Sequence, residues 1–460
     1  MKERKHSFLI LFFFVISTIL GSQLVFPASD FDWVKIETPA SPEPPRSYIQ
    51  TVYDPINEKI VLFGGSPYND VGLNDLWEYN GSTWEQRFPL NSPSTRYAYN
   101  MVYDSNRNVI VLFGGEDWPT LYGDTWEYDG NTWYKVNTAH SPISRAHFAL
   151  AYDSKRNVVV LFGGWHWYVD QGDTWEYDGT DWIQRSPANS PCERQQVTMV
   201  YDENREVVVL FGGTRQYAGQ GGPFNDTWEW DGTNWTEIQP QQNPGARYYH
   251  QMTYNSDNNK VILHGGNSLS GIKVDTWEYD GVDWTKLNPE TTPGKRTGFS
   301  FSYYPKNKSI VLFGGHIPGH GWGNDTWELI QTVHEIEAII DIKPETLNIK
   351  SKGKRLTTYI ELPGGYAVEN IDLSSVAIVE VKGTQLVDPI YAESRPTSIG
   401  DYDGDGIADL MIKFSRRQLV KLKRLHLGLG LNKDIDIKIS GKLNDDTKFS
   451  GTDSIRLIKK

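Results

Sequence analysis

Two groups of residues in this chain have types and spacings that could do chemistry. The first is the run Asp401-Tyr402-Asp403-Gly404-Asp405-Gly406-Ile407-Ala408-Asp409. Asp401, Asp403, Asp405 and Asp409 bring hard oxygens toward one point, Gly406 allows the sharp turn, and the backbone carbonyl of Ile407 can supply a further ligand. Such a donor set fits a structural calcium ion, and the plainer reading is a solvated turn rich in Asp and Gly. The second group is aromatic and polar: Trp118, Tyr122, Trp165, His166, Trp167, Tyr168, Arg215, Tyr217, His316, His320 and Trp322. Flat apolar rings beside hydrogen-bonding side chains make surfaces that grip sugars, peptides or other proteins. His166, His316 and His320 could alternatively gather around a loop-borne metal.

A repeat determines which elements bring such distant residues together. One block recurs between residues 46 and 328, and its third copy reads Arg145, Tyr152-Asp153, Val158-Val-Val-Leu-Phe-Gly-Gly164, Asp173-Thr-Trp-Glu-Tyr-Asp-Gly179 and Trp182. The Gly-Gly pair begins at 64, 114, 163, 212, 265 and 314, and in every copy an Arg stands 17 residues before the residue preceding it. A Trp follows at 77, 126, 175, 228, 277 and 327, each two residues after an Asp. A second Trp comes seven residues later at 84, 133, 182, 235 and 284. A register held this long makes each block one structural unit. Apolar runs of strand length separated by Asn, Asp and Gly turns predict four antiparallel strands per unit, A to D. Strand A lies between the Arg and the Tyr-Asp pair, B ends at the doublet, C holds Asp-Thr-Trp-Glu, and D begins at the second Trp. Because direction alternates, the long B-to-C and D-to-A connections emerge on one side of each sheet. The whole second group of residues falls in B-to-C loops, where the copies differ.

One four-stranded sheet cannot bury both of its faces, and packing six around an axis solves that problem. The ends of the array agree with a ring. The sixth unit has His334 where a second Trp should fall, while Asp32-Trp33-Val-Lys-Ile36 stands 13 residues before Arg46, against 12 for the other such pairs. The expected fold is all-β: a six-bladed propeller over residues 30–330, closed by an N-terminal strand that covers an otherwise open sheet edge.

The doublet after an apolar strand, followed by Asp-Thr-Trp and a second Trp, resembles the kelch repeat over roughly residues 31–330. The resemblance implies that the doublet and the repeated aromatics build blades. Members of that family range from protein-binding adaptors to sugar-active enzymes such as galactose oxidase, so the likeness speaks to fold and leaves function to the loops. Residues present in every copy, including the six Arg and the Glu after the first Trp, are expected to brace the blades, with an arginine ring for an acidic ligand as the rival reading. The copper chemistry of galactose oxidase needs a Tyr, His and Cys set. Here Tyr248-Tyr249-His250 reads as ordinary strand A sequence after Arg247, and Cys192 stands in a D-to-A loop with nothing to mark it as a thiol partner. No catalytic residue is assigned.

Charge and composition narrow the partners. Forty-five Lys and Arg against 58 Asp and Glu give a net charge of −13, which repels phosphate backbones and argues against nucleic acid. The acidity belongs to residues 1–330, at −14, whereas 331–460 carry +1. A single cysteine excludes an intrachain disulfide. Met1-Lys-Glu-Arg-Lys-His6, followed by an apolar run from Phe8 through Leu20, reads as a signal peptide or N-terminal anchor over residues 1–29. A secreted or surface-attached protein follows, touching membrane only through that segment if it is retained.

After residue 330 the repeat ends. Ala338-Ile-Ile-Asp-Ile342, Ser375-Val-Ala-Ile-Val379 and Asp434-Ile-Asp-Ile-Lys-Ile439 predict strands and a small β-sandwich-like module over 331–460. Ile412 replaces the Glu that an EF-hand would carry at position 12, so the acidic run looks more like the strand-flanked calcium loops of integrin-type propellers. With Ile340-Asp-Ile-Lys-Pro344 and Gly451-Thr-Asp-Ser-Ile-Arg456, the segment resembles a module at the C-termini of exported bacterial and archaeal proteins, which implies no catalytic role.

The expectation is an exported, non-catalytic recognition protein that binds a glycan, peptide or surface protein through propeller loops, with calcium bracing the neighbouring module. A kelch-type carbohydrate oxidase or isomerase would instead show a metal or an acid and base set on the same face. An envelope spacer would show a loop face without a concave pocket.

Overall fold

The computed structural model describes residues 31–68, 71–216, 221–332, 335–364, 366–422, 432–444 and 447–459. The expected signal or anchor segment, Tyr217 and His334 lie outside the described residues. The described chain is all-β apart from the helix Arg416–Leu422 and a single 3-10 turn at Val368–Asn370.

Six four-stranded antiparallel sheets follow the repeat. In the third they run Ala149–Asp153, Val158–Phe162, Thr174–Tyr177 and Trp182–Arg185, in the order A, B, C, D. Strand B is apolar without alternation because both of its faces are covered. Val159 and Leu161 pack with Val111 and Phe113 of the preceding repeat, while Val160 and Phe162 pack with Met199, Leu210 and Trp235 of the next. The sheets are thus layered face to face, each completing its neighbour's core.

The second Trp of each unit ties these layers together. Trp182 Nε1 donates to Thr125 Oγ1 of the preceding repeat at 2.9 Å, and Trp235 does the same to Thr174 at 2.9 Å. Trp84 of the first repeat reaches Thr326 of the sixth at 3.0 Å. Trp133 is the exception: its buried N–H has no acceptor, because the preceding repeat carries Leu76 where the others carry Thr.

A second set of links runs along the inner ends of the sheets. The second residue after each Arg, namely Tyr48, Ala98, His147, Gln196, Tyr249 and Gly298, has positive φ between 52° and 65°. Backbone N–H groups then bond from unit to unit: Ala98 to Tyr48 O, His147 to Ala98 O, Gln196 to His147 O and Tyr249 to Gln196 O. Tyr48 N–H bonds Gly298 O at 2.7 Å, so the first repeat also neighbours the sixth. Phe31–Ile36 pairs antiparallel with Thr326–Gln331, setting Trp33 opposite Leu329 at the D position of the sixth sheet.

The doublet is fixed by crowding at this inner end. At Gly163 (φ 71°) a Cβ would sit 2.6 Å from Arg194 O, and at Gly164 (φ 100°) it would sit 2.7 Å from Phe148 Cβ. Only glycine fits both constraints.

Beyond the repeats, two sheets share one core. One contains Ile339–Lys343, Arg355–Glu361, Glu393–Gly400 and Asp409–Ser415; the other is built on Ile371–Val381, Thr384–Tyr391, Asp434–Leu443 and Lys448–Ile458. Ile340, Ile360 and Ile412 of the first meet Ile378, Ile437 and Phe449 of the second, as the alternating pattern predicts for a sandwich.

Candidate functional site

The repeated charges are consumed inside the blades. Arg145 is fully buried and clamps Asp173 with both terminal nitrogens, at 2.6 and 2.9 Å, while also bonding Gly163 O at 2.9 Å. Trp175 Nε1 bonds the same carboxylate at 2.7 Å. Burial works against the charge on Asp173, but the Arg145 hydrogen bond and charge, with Trp175, hold its carboxyl below the usual carboxylate range. The same arrangement depresses Asp124, Asp226, Asp275 and Asp325. An arginine ring open to an acidic ligand is therefore not formed; the six guanidiniums close the base of the loops.

Above them, four B-to-C loops among the described residues fold into small hairpins: Glu116–Asp117 with Thr120–Leu121, Trp165–His166 with Val169–Asp170, Asn267–Ser268 with Gly271–Ile272, and His316–Ile317 with Gly321–Trp322. A cavity of about 260 Å³ opens among them near the axis. It is lined from the hairpins by Glu116, Trp118 and Trp165 and from the inner ring by Tyr48, His147, Gln196 and Tyr249. The ring centroids of Tyr48, His147 and Tyr249 lie 5.4 to 5.8 Å from one another, forming the floor. Gln196 Nε2 donates to Tyr249 Oη at 2.8 Å, and His147 Nε2 lies 3.4 Å from Glu116 Oε1. Burial first, then the adjacent Tyr48, pushes the Tyr249 phenol well above its ordinary value, so it stays a neutral hydrogen-bonding group.

The residues expected at this face divide into those that reach the cavity and those that brace its walls. Trp118 and Trp165 line it. Trp118 is 51% exposed and lies 6.0 Å from Trp167, itself 41% exposed, with Tyr168 beside Trp165 on the same hairpin. Tyr122, by contrast, lies 4.2 Å beneath the guanidinium of Arg96, as Phe224 does for Arg194. His166 Nδ1 is held by Ser144 O at 2.6 Å, and Arg215 pairs with Glu193. His316 and Trp322 pack together at 5.6 Å and, with Tyr68 6.2 Å from Trp322, make a second aromatic patch on another hairpin. His320 sits exposed in that hairpin's turn.

The inner ring is what sequence reasoning missed. Tyr249 does not continue strand A: that strand begins at Gln251, and the positive φ of Tyr249 turns its side chain toward the axis. His250 is fully buried, 2.7 Å from Thr198 Oγ1, and burial with the charge of Arg247 pushes it down to about 3, so it is a neutral core imidazole. A signal was available. The second position after each Arg reads Tyr, Ala, His, Gln, Tyr, Gly, a sharp divergence inside a constant register.

The metal-capable groups among the described residues are two carboxylate sets in the C-terminal part: Asp401, Asp403 and Asp409, and Glu361, Asp403 and Asp405. In each set the ligand oxygens lie within 4.8 Å of one another. His166, His316 and His320 belong to no such group. Glu361 is the unexpected member. Strand pairing sets it directly opposite Asp409, and it is only 4% exposed. Burial, then the charges of Asp405, Asp403, Asp409 and Asp401, raises its carboxyl above the usual range. Loop amides already organise the run: Gly404 and Gly406 N–H bond Asp401, and Ile407 N–H bonds Asp405 Oδ1 at 2.8 Å.

A protein-family model, the KLHDC2/KLHL20/DRC7 Kelch-repeats domain, matches residues 18–184. That match and the recurring four-stranded sheets support a kelch β-propeller. Kelch repeats generally serve as protein-binding scaffolds. No curated protein matches the chain.

Proposed function

We propose that this chain is an exported, non-catalytic recognition protein: a closed six-bladed kelch propeller over residues 30–330 that binds a glycan, peptide or surface protein on its B-to-C loop face. The observation that carries this reading is the axial cavity, walled by loops that differ between repeats and flanked by the exposed Trp118 and Trp167. Closure is supported by the Tyr48 to Gly298 backbone bond and by the N-terminal strand at the D position of the sixth sheet. A concave mouth speaks against a plain spacer. The test is equilibrium binding to a panel of glycans, peptides and isolated envelopes. Trp118→Ala with Trp167→Ala should weaken binding roughly tenfold or more while leaving melting unchanged, as expected for exposed aromatic anchors. Equal binding by the double variant would remove the loop face from the account.

The module over 331–460 is assigned a structural calcium ion held by Asp401, Asp403, Asp405 and Asp409 with the carbonyl of Ile407. Glu361 supports the fit, because a buried carboxylate facing four others is costly unless a cation neutralises the group. Bound calcium would supply that charge and join the loop to the strand carrying Glu361.

One observation favours an enzyme as the second reading: His147 Nε2 and Glu116 Oε1 lie 3.4 Å apart in the cavity lining, residue types that can serve as acid and base. Recovery of a bound ligand chemically unchanged after long incubation supports recognition. Turnover that disappears in His147→Ala would establish the enzyme.

A further inference from the structure

The axial cavity differs from the rest of the loop face in its polarity. None of its lining residues is Lys or Arg, Arg215 beside the lining residue Gln216 is paired with Glu193, and Glu116 contributes a carboxylate. The repeats around it carry the chain's excess of acid. An anionic end group, whether a peptide carboxylate, a phosphate or an acidic sugar, would meet the like charge of Glu116, and the imidazole of His147 already lies 3.4 Å from that carboxylate. The walls instead offer amides from Gln195, Gln196 and Gln216 and phenols from Tyr48, Tyr97 and Tyr249. These groups both donate and accept hydrogen bonds.

At the floor Gln196 Nε2 donates to Tyr249 Oη at 2.8 Å and to Gln195 Oε1 at 3.3 Å, and Gln195 in turn donates to Asp170 at 2.8 Å, so the amides are held in one orientation. Trp118 and Trp165 also line the cavity, Trp118 half exposed and Trp165 buried. Hydroxyl donors on one edge and apolar C–H faces on the other are the chemistry of a sugar ring. At about 260 Å³ the space lies just below the range for drug-sized ligands, so it suits an end group better than the middle of a long chain.

We propose that the cavity takes the terminal residue of a neutral glycan, with sugar hydroxyls meeting the amides and phenols of its lining, Gln196 among them, and the ring lying against Trp118. This rests on the loop-face reading above and narrows it to one ligand class. The test is an array carrying neutral oligosaccharides, their sialylated or uronate counterparts, and peptides with free carboxyl or trimethyl-lysine ends, probed with the full chain. Signal is expected from neutral glycans, weakened roughly tenfold by Trp118→Ala and also lost in Gln196→Ala. Gln196→Glu should weaken it as well, because it places a charge where the orienting amide stood. Melting curves and competition by the free neutral oligosaccharide establish that the variants are folded and the site is specific. Signal confined to acidic glycans or to peptides overturns the proposal, and if that signal still needs Trp118 the loop-face reading survives. Silence from every class overturns both.

Discussion

At the scale of single residues, the blade chemistry makes strong and separable predictions. Thr125 accepts from the buried Trp182 N–H, so Thr125→Val leaves a donor unsatisfied and should cost about 1–3 kcal/mol by chemical denaturation. A variant within error of the native chain would mean that the cross-repeat bond is dispensable, as its absence at Trp133 already is in one repeat. Asp173→Asn strands the buried Arg145 and should cost about 3–5 kcal/mol.

The same residues set a two-stage response to acid. His250 and His264 are held at about 3 in the folded chain by burial and nearby arginines, well below the value of about 6.5 that each has when exposed. The unfolded state therefore binds more protons than the folded one between those values, and stability falls as pH drops below about 6.5. The five depressed aspartates add a second loss. Their contribution is intact above the ordinary carboxylate value and disappears as pH falls through their lower folded values. Melting temperature against pH should thus decline gently from near 6.5 and more steeply below about 4. His264 occupies the place held by Phe63, Phe113, Phe162, Phe211 and Phe313 in the other repeats, and it packs against Trp33 with ring centroids 4.8 Å apart and planes tilted by 57°. His264→Phe should therefore fold and flatten the upper part of the profile; an unchanged slope would remove His264 as its source.

At the scale of elements, legibility follows periodicity. The strands, the doublet, the arginine clamps and the second Trp all recur, and recurrence alone separates a blade-building residue from its surroundings. The B-to-C loops could be found by subtraction, and two of the ligand-site candidates it gave, Trp118 and Trp165, line the cavity. What subtraction could not do was tell a ligand-facing side chain from a brace, since Tyr122, His166 and Arg215 vary between copies for reasons of local packing. The inner ring escaped because its positive φ redirects side chains that a strand reading would send elsewhere. Glu361 escaped for a different reason: it enters the acidic cluster through strand register, 40 residues before Asp401. Calcium should raise the melting temperature of the full chain, chelation should reverse it, and Glu361→Gln should weaken calcium affinity roughly tenfold. Terbium luminescence sensitised by Tyr402, which lies in the loop, reads the site directly. An affinity unchanged in Glu361→Gln would leave the aspartates as the whole ligand set.

At the scale of the whole molecule, the repeats present two ends. The B-to-C hairpins, the exposed tryptophans and the Gln196 floor occupy one face. The tight A-to-B turns occupy the other, where Tyr103 and Tyr152 bond the neighbouring Asn108 and Asn157. The central claim is that recognition belongs to the first face alone. It is tested most directly by measuring binding of the same glycan, peptide and envelope panel to the native chain, to Trp118→Ala with Trp167→Ala, and to Ile56→Ser, an exposed apolar residue in an A-to-B turn. The account predicts binding that Trp118→Ala with Trp167→Ala weakens roughly tenfold or more and Ile56→Ser leaves intact; the reverse pattern, or loss in neither variant, would contradict it.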